Sequence, residues 1–82
     1  MKYIRILTGV EVEALTYDEL NEIGKTTAKH NGYQIRHEGD AWYVTVTPEK
    51  TCKVIDQKML VFNGSLVYAC DALSFERMYE KV

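Results

Sequence analysis

Two apolar runs, Met59-Leu60-Val61-Phe62 and Leu66-Val67-Tyr68-Ala69-Cys70, are held apart by only Asn63-Gly64-Ser65. Asn-Gly is the strongest short-range hairpin signal, because both residues tolerate positive φ. A two-residue turn on Asn63-Gly64 sets Phe62 opposite Ser65, Leu60 opposite Val67 and Met59 opposite Tyr68. One face of the hairpin then carries Met59, Val61, Leu66 and Tyr68, and the other Leu60, Phe62 and Val67. A hairpin that is apolar on both faces must be covered on both, so it lies centrally or at an oligomer interface. This one segment excludes a fold in which every strand has a wet face.

The rest of the chain has to supply that cover. Eighty-two residues make a single compact domain, 1–82, with a modest core. With 46% hydrophobic and 27% charged residues the chain packs and does not stay disordered. Tyr3–Leu7 reads as a short strand, Thr8-Gly9 as a turn, and Val10–Leu15 as a strand alternating Val10, Val12, Ala14 against Glu11, Glu13. The two runs could also form one strand bent at Gly9. Thr16-x-x-Glu19 is a capping box and opens the main helix, about 17–30, with Asn31-Gly32 as its stop. Tyr33–His37 and Ala41–Thr47 read as strands, the latter with Trp42, Val44 and Val46 on one face and Pro48 as its end. Thr51–Asp56 and Lys58–Phe62 are one irregular strand or two short ones. Asp71 is a natural N-cap for a short C-terminal helix, about 72–80. The expected fold is α+β: a four- to six-stranded, largely antiparallel sheet, the main helix packed on it, and the short terminal helix.

Charge excludes some function classes. The net charge is −2, so the basic surplus that neutralises phosphates in a nucleic-acid binder is missing. The distribution is nonetheless uneven. Glu11 to Glu22 holds five carboxylates and no lysine or arginine, whereas Gly24 to His37 holds Lys25, Lys29, Arg36 and two histidines without a carboxylate. Solvated faces account for such patterns in most proteins; a small anion-attracting spot is the sharper reading. No stretch reaches the length of a membrane span and the start lacks a signal-peptide pattern, so a cytoplasmic location and reduced cysteines are expected.

Candidate chemistry is sparse. Cys70 precedes a helix start, which can depress a thiol pKa, but it shares a face with Met59 and Tyr68. Free cysteine is among the most buried residue types, so Cys70 is read as packing. Cys52, Cys70, His30 and His37 lack the close pair spacing of a zinc site, and no metal is expected. No Gly-rich phosphate loop, no Ser-His-Asp order and no cofactor motif is present. The chain is therefore read as no enzyme. The aromatics are more informative. Trp42 and Tyr43 are neighbours on one strand, so one of them leaves the core face. With Arg36 and Lys53 on adjacent strands, Tyr43 would form an aromatic floor with cationic walls, suited to a nucleotide-like anion; the plainer reading, and the favoured one, is a half-buried Tyr43 with no ligand.

The end of the chain resembles a pattern found in small uncharacterised proteins of bacteriophages and prophages. A hydrophobic strand leads to a glycine turn, then Tyr-x-Cys, four residues, Phe, three residues and Tyr-Glu. Here these are Val61–Cys70, then Phe75, then Tyr79-Glu80. Val10–Tyr17 and Leu20–Ile23 resemble that family's opening. The chain departs from it at Asp56-Gln57-Lys58-Met59, where the family usually has Gly-Asp-aromatic. Physically the pattern is a packing unit of Tyr68, Cys70, Phe75 and Tyr79. The resemblance implies an accessory protein in the host bacterial cytoplasm that binds and inhibits or redirects a host protein, including a defence protein, by steric occlusion as a homodimer. The contact residues expected are Trp42, Tyr43, Arg36, Lys53, Glu11 and Glu13. The alternative is an oligomeric binder that captures a nucleotide-like signal.

Overall fold

The computed structural model describes residues 1–82. The apolar hairpin is formed by β7 (Lys58–Asn63) and β8 (Leu66–Asp71), and its register differs from the one expected. Phe62 pairs with Val67, Leu60 with Ala69 and Met59 with Cys70, so the turn falls on Gly64-Ser65. Gly64 has φ +60, while Asn63 stays in the strand. A glycine alone at positive φ in the first turn position is the type II′ arrangement. The slide moves each partner by two residues, which keeps every side chain on its own face. Met59, Val61, Tyr68 and Cys70 thus share one side, and Leu60, Phe62 and Val67 the other.

Three more strands complete this sheet: β1 (Lys2–Arg5), β2 (Glu11–Thr16) and β9 (Tyr79–Lys81). The order is β8-β7-β2-β1-β9, antiparallel throughout. β1 and β2 are therefore separate strands joined by the turn at Thr8-Gly9, not one bent strand. A second antiparallel sheet is built from β3 (Lys29–His30), β4 (Tyr33–Glu38), β5 (Ala41–Thr47) and β6 (Lys50–Val54), in that order. The α+β class, the antiparallel pairing and the short C-terminal helix are as expected. The strands, however, number nine and divide between two sheets. Lys50–Val54 and Lys58–Asn63 are two strands, one in each sheet, separated by a turn in which Gln57 adopts φ +68.

The helix α1 (Tyr17–Gly24) starts where the capping box places it. The Glu19 N–H donates to Thr16 Oγ1 at 3.0 Å and the Thr16 N–H to Glu19 Oε1 at 2.9 Å. It stops at Gly24, short of the expected residue 30, and this corrects the 17–30 range. Two physical causes act there. Gly24 lies against the Trp42 ring, so the helix has already met the sheet. Beyond it, β-branched Thr26 and Thr27 disfavour continuation, and the Lys29 N–H donates to Thr27 Oγ1 at 3.2 Å. Asn31-Gly32, read as a helix stop, is a hairpin turn between β3 and β4. Both residues take positive φ, 51 and 82, as a type I′ turn requires. The second helix, α2 (Ala72–Met78), is capped by the Asp71 carboxylate, which accepts from the Ser74 N–H at 3.2 Å. It ends before Tyr79, whose extended backbone starts β9.

The layers follow from the hairpin's two faces. Leu15, Leu60, Phe62 and Val67 of the five-stranded sheet meet Ile35, Trp42, Val44 and Val54 of the four-stranded sheet, with Leu20 of α1 in the same core. On the opposite side Val12, Ala14, Met59 and Val61 meet Phe75 and Tyr79, so α2 covers the second face. Residues 59 to 62 are all buried within the single chain, whereas Leu66 of β8 is exposed. The four-stranded sheet, by contrast, has one face inside and one face outside.

Candidate functional site

Strand alternation decides what the outer face of the four-stranded sheet presents. Ile35, Trp42, Val44 and Val54 turn inward, so their neighbours Arg36, Tyr43 and Lys53 turn outward. The registers Arg36↔Tyr43 and Tyr43↔Lys53 put these three in one row across β4, β5 and β6. The Arg36 guanidinium carbon lies 4.6 Å from the centre of the Tyr43 ring, within cation–π range. Arg36 Nε is also 3.6 Å from Glu38 Oε2, both groups being exposed, so this pair is weak. Lys29 and Lys53 take part in none of the molecule's ion pairs.

The next row along the same face is Lys29, Gln34, Thr45 and Thr51, set by the registers Lys29↔Gln34, Gln34↔Thr45 and Thr45↔Thr51. At the β3 end of the sheet there is a shallow cleft of about 180 Å³. Ala28, Lys29, Gln34, Ile35, Arg36 and Thr45 line it. Two cations, a carboxamide and a hydroxyl surround the cleft, and no carboxylate does. The expected helix over 17–30 concealed Lys29 and Gln34 as neighbours. The signal that would have revealed them is Asn31-Gly32 read as a hairpin turn, which places Lys29 opposite Gln34.

The other expected contact residues lie elsewhere. Trp42 is 6% exposed and sits in the core, on the far side of the sheet from Tyr43. Its indole N–H donates to Asn21 Oδ1 at 2.7 Å, and His37 stacks on it at 4.8 Å. This corrects its place among the contact residues: of the two neighbouring aromatics, the larger took the interior. Glu11 and Glu13 are on β2 of the other sheet. Glu11 is exposed; Glu13 is half-buried, 3.4 Å from the Met1 amino group and 3.6 Å from His30 Nε2. Neither shares a face with Arg36.

Tyr68, Cys70, Phe75 and Tyr79 come together under α2. Phe75 and Tyr79 stack with ring centres 4.3 Å apart and planes 7° apart, and Tyr3 meets Phe75 edge-on at 5.0 Å. Tyr68 and Cys70 pack against this cluster, half-buried. Burial pushes the Cys70 thiol above its ordinary range and the Asp71 carboxylate adds to the shift. Burial also raises Cys52, on the inner face of β6, with Lys50 opposing. Both effects reduce the thiolate that a nucleophile or a metal ligand needs. No three His, Cys, Asp or Glu side chains converge as a metal site would require. No helix is long and apolar enough to cross a membrane.

No family model, curated protein or solved structure matches the chain.

Proposed function

We propose that the protein is a non-enzymatic binding module and that its contact surface is the outer face of the four-stranded sheet. In the phage-type setting that the C-terminal pattern resembles, it binds a host bacterial protein and occludes it. The observation that carries this reading is the row Arg36–Tyr43–Lys53, with the guanidinium laid on the phenol ring. Tyrosine and arginine are the residue types that dominate binding energy at protein interfaces, particularly at the centre of a patch. Here they form the middle of a sheet face whose surround is polar: Gln34, Thr45, Thr47 and Thr51. The stack also holds the Arg36 side chain in place before binding, which lowers the entropy lost on association. Arg36, Lys53 and Lys29 outnumber Glu38 on this face, so the partner surface is acidic although the whole chain is net negative.

The test is retention of a bacterial protein from lysate by the immobilised wild-type chain and by Tyr43→Ala and Arg36→Ala. The expected result is one retained protein that each variant loses. Each substitution should weaken it by about 2 kcal/mol, roughly thirtyfold. Retention should also fall as salt rises, because charge steers the encounter. Equal retention by wild type and both variants, with unchanged circular dichroism, would show that the contact surface lies elsewhere.

A further inference from the structure

The cleft at the β3 end of the four-stranded sheet has a volume that decides what enters it. At about 180 Å³ it is smaller than the roughly 300–1,000 Å³ of pockets that enclose a whole small ligand. It therefore accepts an end group and leaves the remainder of the ligand on the open sheet. The chemistry of that end group follows from the lining. Beside Ala28 and Ile35 the lining residues are Lys29 and Arg36, which carry an ammonium and a guanidinium, and Gln34 and Thr45, which carry a carboxamide and a hydroxyl. All four side chains can donate hydrogen bonds, two with full positive charge; the one nearby carboxylate, Glu38, pairs with Arg36 at 3.6 Å and is exposed, so an anion can displace it. The group is a tetrahedral or planar anion.

What lies beside the cleft selects among anions. Thr45 and Tyr43 are same-face neighbours on β5, about 7 Å apart at the rise of a β-strand. Arg36 belongs to both places: it lines the cleft, and its guanidinium lies over the Tyr43 ring. A guanidinium plane supported from beneath by an aromatic ring is a platform on which a flat base can stack. A ligand that carries an anion at one end and a flat aromatic system one strand-residue pair away satisfies both. A simple carboxylate or free phosphate uses only half of this arrangement.

We infer that the outer face of the four-stranded sheet binds a nucleoside phosphate, its phosphate between Lys29 and Arg36 and its base on the Arg36–Tyr43 stack. The inference rests on the reading that this face is the functional one, and it names a small-molecule class for it. The site is complete within one chain. Lys29 serves the phosphate end alone, because it lies on β3 with β4 between it and Tyr43 on β5.

The experiment is an amide NMR titration of the full chain with adenosine monophosphate, adenosine and inorganic phosphate, each added separately. The expected result is perturbation by adenosine monophosphate at residues 28–29, 34–36 and 43–45. It should bind about tenfold or more tightly than either fragment. Lys29→Ala and Arg36→Ala, both at exposed positions, should each weaken it by about tenfold. Their spectra should be unchanged in the other sheet. Three results would overturn the inference: no response of these amides at about 1 mM nucleotide, an equal response to inorganic phosphate alone, or perturbation confined to another surface. Lys29→Ala also separates the two proposals. If it abolishes nucleotide binding and spares a protein partner lost on Tyr43→Ala, both stand. If nucleotide binding is absent while Tyr43→Ala still releases the partner, only the nucleotide site falls.

Discussion

Gly24 shows how one residue without a side chain places a helix. A Cβ built on it would run into the Trp42 ring, at its Cη2 atom. The ring cannot swing aside cheaply, because its N–H is held by Asn21 and it stacks with His37. Gly24→Ala should therefore destabilise the protein by about 1–3 kcal/mol as an overpacked site. This is opposite in sign to the ~1 kcal/mol gain that alanine gives in an unobstructed helix. Urea unfolding measures the difference, and a red shift of the tryptophan emission would report the displaced indole. The start of this helix was legible in the sequence from its capping box. Which ring Gly24 approaches was not, because Trp42 is eighteen positions away along the chain. Cys70 raises the same issue for chemistry. Its position before a helix is visible in the sequence, but the cluster of Tyr68, Phe75 and Tyr79 that buries it comes from elements folded together. Cys70 should react with iodoacetamide more slowly than a thiol in the urea-unfolded chain. A rate equal to the unfolded one would contradict its burial.

At the level of elements, neither Asn-Gly dipeptide forms the turn the sequence suggests for it. Local chemistry makes either one a helix stop or a hairpin turn. Asn31-Gly32 became the type I′ hairpin because Lys29 and His30 found partners in Gln34 and Tyr33. In the second case the turn moved to Gly64-Ser65, which lets Val67 sit opposite Phe62 and Val61 opposite Tyr68. Apolar cross-strand pairs of this kind stabilise a sheet, and a partner of Ser65 would have offered Phe62 less. Gly64 now carries the turn alone. Gly64→Val should cost about 1–2 kcal/mol, the penalty for a β-branched residue at positive φ. Ser65→Ala should be close to neutral. A larger loss at Ser65 than at Gly64 in urea titrations would mean the turn is placed wrongly. The capping box needs no such arbitration, because both of its hydrogen bonds lie within four residues. Thr16→Ala should remove about 1 kcal/mol.

For the whole molecule, the five-stranded sheet is the middle layer, covered by the second sheet on one side and by α2 on the other. Leu60 at its centre is 0% exposed. Leu60→Ala should cost about 2–5 kcal/mol. A small domain has only about 5–15 kcal/mol in total, so a large part of the population would unfold at moderate urea. Stability should also decline in alkali. Cys52 and Cys70, raised chiefly by burial, keep their protons in the folded state longer than in the unfolded chain. The contribution is complete below the ordinary thiol value of 9.0 and is lost as pH rises from there through the folded values, because the unfolded state ionises first. Tyr3 and Tyr68, also raised chiefly by burial, extend the decline above pH 10. Urea midpoints in reducing buffer should fall above about pH 9, and less steeply in a Cys52→Ala/Cys70→Ala variant. A midpoint that rises over this range would reverse the sign and contradict the burial of these groups.

Alternation and capping are short-range, and they determined most of the elements: the buried hairpin, the start of α1, the cap of α2, and the assignment of Arg36, Tyr43 and Lys53 to their strands. Each depends on steric or hydrogen-bonding choices among residues a few positions apart. Tertiary structure decided what such choices leave degenerate. It set how the strands divide between two sheets, where α1 ends, and which of Trp42 and Tyr43 turns inward. These outcomes depend on volume that must be filled between layers, and volume is shared by residues far apart in sequence. The candidate site shows the same division. The sequence placed an aromatic residue between two cations. Only the fold laid Arg36 on Tyr43 and brought Lys29 beside Gln34, because β3 exists through its pairing with β4 and not through any preference of its own two residues.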